Sequence, residues 1–141
     1  MIINASKHAK NNYTEPVIPA GQLVNILGKY LYKHLDGAYK FEKGSNMCDV
    51  YVTVLFSIPA DIARKYKLKA GVNEMTLDLN ITTYQNKIRL NITEITPEEC
   101  TIGFDTFPPE KLQNLNDALN LVYEKVKKRV SKRYEDWDFI F

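Results

Sequence analysis

The chain has 141 residues, 45% of them hydrophobic, which suits one domain whose core needs neither disulfides nor metals. Its 19 basic and 17 acidic residues leave a formal net charge of only +2, so attraction of the whole chain to nucleic acid or membrane is excluded and any such role falls to a local patch. Two cysteines without metal-ligand spacing, no apolar export segment and apolar runs too short for a bilayer point to free thiols, no membrane partner and a cytoplasmic location.

Residues 1–18 carry almost no core-forming pattern. Lys7, His8, Lys10, Asn11 and Asn12 are polar, and Pro16 and Pro19 favour extended backbone, so an extended arm is expected, packed on its own domain or, the favoured reading, on a neighbouring subunit. Over 19–35 the spacing of Leu23, Leu27, Tyr30, Leu31 and His34 or Leu35 predicts a helix, with Gly37 placed for a left-handed cap. Gly28 weakens that helix by about 1 kcal/mol relative to alanine but permits close packing.

A hairpin follows, with Tyr39 and Phe41 in a short strand, Gly44, Ser45 and Asn46 in the turn, and a longer strand over 48–57. In the longer strand Cys48, Val50, Val52, Val54 and Phe56 share one face, and Asp49, Tyr51, Thr53, Leu55 and Ser57 share the other. Pro59 ends the strand; a helical turn or two over 59–66, a basic loop at Lys65, Lys67 and Lys69, and a turn at Gly71 and Asn73 come next. Three alternating segments then read as an antiparallel meander with apolar faces Met75, Leu77, Leu79 and Ile81, then Ile88, Leu90 and Ile92, then Cys100, Ile102 and Phe104. Their other face carries Thr76, Asp78, Asn80, Arg89, Asn91, Thr93, Thr101 and Asp105, and is expected to stay in water. With a location inside a cell expected, the Asn-x-Thr triplets at Asn12, Asn80 and Asn91 read as arm and strand residues, not glycan acceptors.

The strongest signal lies over 108–134. There Leu112, Leu115, Leu119, Val122, Val126 and Val130 recur at steps of three and four, the stripe of one amphipathic helix begun by Pro108, Pro109 and Glu110. Its far half is basic, through Lys125, Lys127, Lys128, Arg129, Lys132 and Arg133. The expected fold is α+β: an antiparallel sheet of four to five strands with one N-terminal and one long C-terminal helix packed on one face. Residues 1–18 form the arm, 19–134 the domain, and 135–141 an acidic, apolar tail. The order of elements is similar to that of double-stranded-RNA-binding and ribosome-associated small domains, a likeness of order only, since none of their motif residues can be placed.

Nucleophile-elbow, phosphate-loop, dinucleotide-loop and zinc-protease patterns are absent. His8 and His34 have no partner pattern for metal binding or acid–base work, and Cys48 and Cys100 fall in phase with apolar neighbours as core thiols. Asp78 and Asp105 read as carboxylates on the wet sheet face. No catalytic, metal or cofactor residue is assigned, and a non-enzymatic subunit of a larger assembly is expected. Lysine outnumbers arginine 15 to 4, and asparagine, isoleucine and tyrosine are abundant, a bias toward AT-rich codons that fits bacteriophages and other mobile elements of AT-rich hosts as well as the hosts themselves; if phage-encoded, the assembly is expected to be a particle and the location a virion. The tail offers Trp137, Phe139 and Phe141 to a protein partner, or folds back on its own core. The alternative is a nucleic-acid-binding accessory protein that uses Lys125, Lys128, Arg129 and Lys132, with the loop lysines extending the patch.

Overall fold

The computed structural model describes residues 18–35, 41–43 and 46–140. The arm before Ile18 with its His8 and Asn12, the cap at Gly37, Tyr39, the turn residues Gly44 and Ser45, and Phe141 lie outside the described residues.

The alternation of β-branched and other apolar residues builds five antiparallel strands in sequence order: β1 (Phe41–Lys43), β2 (Met47–Ile58), β3 (Gly71–Tyr84), β4 (Lys87–Thr96) and β5 (Cys100–Phe107). Residues directly opposite share a face, so register decides which side chains meet. Val50 opposes Leu79, which opposes Ile92, while Cys48 opposes Ile81 and Ile81 opposes Leu90. All of them are buried. Each such aliphatic side chain removed from water contributes about 1.5–3 kcal/mol, so this single face supplies most of the driving force. Between β3 and β4, Gln85 and Asn86 take positive φ values of 47° and 63°, a two-residue turn whose twist matches that of the strands it joins.

Two helices cover that face. Helix α1 (Ala20–His34) buries Leu23, Val24, Leu27, Gly28 and Leu31 against β2 and β3. A short helix α2 (Ala60–Lys65) joins β2 to β3, and the last helix α3 (Leu115–Arg133) buries Leu115, Ala118, Val122, Val126 and Val130 beside β5 and α1. Tyr30 Oη of α1 donates to Asn116 Oδ1 at 2.6 Å, and Gln113 clamps Ile18 by accepting from its N–H at 3.2 Å and donating to its carbonyl at 3.1 Å. The chain is thus an α+β fold with its helices on one side of the sheet. No helix among the described residues is long and apolar enough to cross a membrane.

Three local expectations change. Pro108 and Pro109 open a 3-10 turn (Pro109–Leu112), and α3 starts only after Asn114, whose Oδ1 accepts from the N–H groups of Asn116 at 3.0 Å and Asp117 at 3.2 Å. The cap satisfies two N–H groups that would otherwise lack partners, which fixes the start of the helix more firmly than the prolines do. Gly71 and Asn73 belong to β3, paired with Ile58 and Phe56, instead of forming a separate turn. In β5 the alternation breaks: Ile92 opposes Gly103 but the next residue, Thr93, opposes Thr101, so Ile102 is bulged out of the ladder. One extra residue reverses the faces of everything after it. Phe104, expected inside, points to the open face and is 48% exposed; Asp105, expected in water, turns under the helices, and Phe107 becomes the strand's buried anchor.

Candidate functional site

The bulge in β5 and the basic half of α3 together make one site. Along α3, Lys125, Lys128, Arg129 and Lys132 occupy an arc that flanks the buried valines, because these positions repeat at about one turn of 3.6 residues. Opposite them stands β5, the last strand of the sheet. Between helix and strand runs an open groove of about 470 Å³ lined by Ile102, Asp105, Lys125, Lys128, Arg129, Lys132 and Arg133.

Arg129 is the fixed member. Its Nε donates to Asp105 Oδ2 at 2.7 Å and its Nη2 to Asp105 Oδ1 at 3.0 Å, a two-pronged pair that raises the guanidinium pKa above its ordinary value. Gly103 makes room for this pair: a Cβ there would sit 2.7 Å from Arg129 Nη1, and its φ of 154° favours glycine. The groove thus holds five cations against one carboxylate, and that carboxylate is already engaged by Arg129. Lys127 points elsewhere and pairs with Glu124 at 4.0 Å. Lys65, Lys67 and Lys69 do not line the groove, so the loop does not extend the patch as expected.

Beyond the groove α3 ends on a buried polar cluster. Glu94, on the covered side of β4, is fully buried; it accepts hydrogen bonds from the Tyr134 hydroxyl, from the Glu98 N–H at 2.9 Å and from the Cys100 thiol at 3.7 Å. Burial pushes the Glu94 carboxyl pKa upward, more strongly than these three donors lower it. The same burial, with Cys100 and Glu94 as hydrogen-bond neighbours, raises the Tyr134 phenol pKa. Sequence alternation placed Glu94 among apolar neighbours, and that phase is the one signal that could have identified it as an interior acid.

The tail packs on its own chain. Trp137 is 5% exposed and lies between two rings, its centroid 4.5 Å from Phe56 and 4.1 Å from Tyr134, with both interplanar angles 9°. Tyr66 meets it edge-on at 5.3 Å, and residues Asp138–Ile140 form a sixth strand, β6, paired with β2. Trp137 therefore has no face left for a partner, and Phe139, half-buried against Phe56, has little; the fold-back reading describes both.

The remaining candidates do not converge. Asp78 stays on the open face of β3 while Asp105 is under α3, so the two carboxylates do not act together. His34 is exposed and packs against Tyr30, the ring centroids 4.2 Å apart and the planes tilted by 35°. Cys48 is buried, donates to the Val24 carbonyl at 3.2 Å, and has its thiol pKa pushed up to about 12 chiefly by burial. Among the described residues no group of three or more His, Cys, Asp or Glu side chains could hold a metal ion. No family model, no curated protein and no solved structure matches this chain.

Proposed function

We propose that the protein is a nucleic-acid-binding accessory protein that seats phosphates in the groove between α3 and β5. The observation that carries this reading is the charge of the groove: Lys125, Lys128, Lys132 and Arg133 face it, and the one acid among its described lining residues, Asp105, is taken by Arg129. Cations spread over nine residues of helix, from Lys125 to Arg133, reach about 12 Å along the axis, enough to meet several phosphates of one backbone. The chain's small net charge does not oppose this, because screening confines the contact to charges within about 8 Å. The assembly-subunit reading has less support, since Trp137 of its tail is interior.

The test is fluorescence anisotropy with labelled oligonucleotides across a salt series. Binding should weaken with a log–log slope of about −0.9 per phosphate neutralised on duplex, or about −0.7 on single strands. The triple variant Lys125→Glu, Lys128→Glu, Lys132→Glu should abolish it while leaving the far-UV spectrum unchanged, since Lys128 and Lys132 are exposed and Lys125 is half-exposed. Affinity untouched by the triple variant, or no binding to any polyanion at low salt, overturns the proposal.

A further inference from the structure

The open face of the sheet adds a second feature at the same edge. Phe104, turned outward by the bulge, carries the Arg89 guanidinium 3.8 Å above its ring, and the ring centroid of Tyr84, 44% exposed, lies 5.2 Å from that guanidinium. Arg89 is held in place by its own Nε, which donates to Asn91 Oδ1 at 3.0 Å; Asn91 in turn donates to Asn80 at 3.1 Å, and Asn80 to Asp49 at 2.9 Å. The result is an oriented, cationic and aromatic platform open to water, built from β3, β4 and β5. The described acids of this face, Asp49, Glu74, Asp78 and Asp138, stand on β2, β3 and β6; Glu74 and Asp78, which share β3 with Tyr84, lie six or more residues, about 20 Å, back along that strand.

Gly103, Phe104 and Asp105 are consecutive. The first and third pack on Arg129 at the groove while the second faces the platform, so β5 is the partition between the two. It is also the outermost strand, and no described strand lies beyond it. A flexible backbone can therefore round this edge with phosphates on the lysines and bases on the Arg89–Phe104 stack, whereas a stiff duplex keeps its bases paired and away from the platform. We infer that the preferred ligand is single-stranded nucleic acid, held by charge in the α3–β5 groove and by base stacking on Phe104, Arg89 and Tyr84. This rests on the groove reading above.

Three probes separate the two ideas: inorganic polyphosphate, a short oligothymidylate and a duplex of equal length, each titrated against the full chain and Phe104→Ala at one salt concentration. The inference expects oligothymidylate to bind more tightly than duplex, and Phe104→Ala to weaken oligothymidylate about tenfold while leaving polyphosphate affinity and the salt slope unchanged. Phe104→Trp, which keeps a stacking face, should retain binding, and matched thermal melts show that the variants fold. Equal binding of oligothymidylate by wild type and Phe104→Ala, or duplex bound as tightly as single strand, overturns the inference and leaves the groove standing. Failure of polyphosphate and both oligonucleotides to bind overturns both.

Discussion

Replacing Trp137 by alanine tests the closure of the fold by its own tail. The indole is 5% exposed and sandwiched between Phe56 and Tyr134, so the truncation removes contact on both ring faces at once. An aromatic side chain of this size buries about 150–250 Å², which at about 25 cal/mol per Å² gives about 4–6 kcal/mol as an upper figure, and aromatic-to-alanine changes in cores cost about 3–5 kcal/mol. A loss of about 4 kcal/mol is expected from a total of roughly 5–15 kcal/mol. Trp137 is the chain's single tryptophan, so the wild-type urea transition can be followed by its fluorescence, while the variant is followed by far-UV circular dichroism. Phe139→Ala, at a half-buried position, should cost less than Trp137→Ala. A Trp137→Ala loss below about 1 kcal/mol would show that the tail does not pack as described and return it to the role of a partner-binding peptide.

Glu94 has its folded pKa raised by burial, so the stability it contributes is whole below the unfolded carboxylate pKa and is lost as pH rises through the folded value; Glu94→Gln should flatten that decline between acid and neutral pH, and a wild-type-minus-variant difference in Tm that does not change with pH would refute it. Gly103→Ala places a methyl group against Arg129 at a φ suited to glycine, and should cost about 1–3 kcal/mol in urea unfolding; a neutral result would mean that Arg129 is free to move off Asp105. Cys48, with its thiol pushed up to about 12 and buried, should resist alkylation in the native protein and react on unfolding, as read by mass spectrometry of the labelled peptide; fast native labelling would contradict its place under α1.

Much of the architecture follows from local pattern. In β2 five residues at a strict step of two, Cys48 to Phe56, had to share a face, and the valine and leucine stripe of α3 had to be one side of a helix, because backbone geometry fixes both periods. The basic residues of α3 were legible for the same reason. What they face was not: whether Lys125 and Lys132 border a groove or open water depends on β5, a strand that touches them only in the folded chain.

The sequence by itself determined the strand and helix periods, the covered face of β2, β3 and β4, and the cationic arc of the last helix, since each depends on residues a few positions apart. Only the tertiary structure decided the fate of β5 and of the tail. A single bulged residue at Ile102 exchanged Phe104 for Asp105, and a bulge is set by pairing with β4 instead of by the composition of β5 itself. Trp137 likewise went inside because Phe56, some eighty positions earlier, offered a ring to stack on, and contacts at that separation exist only once the chain has closed on itself.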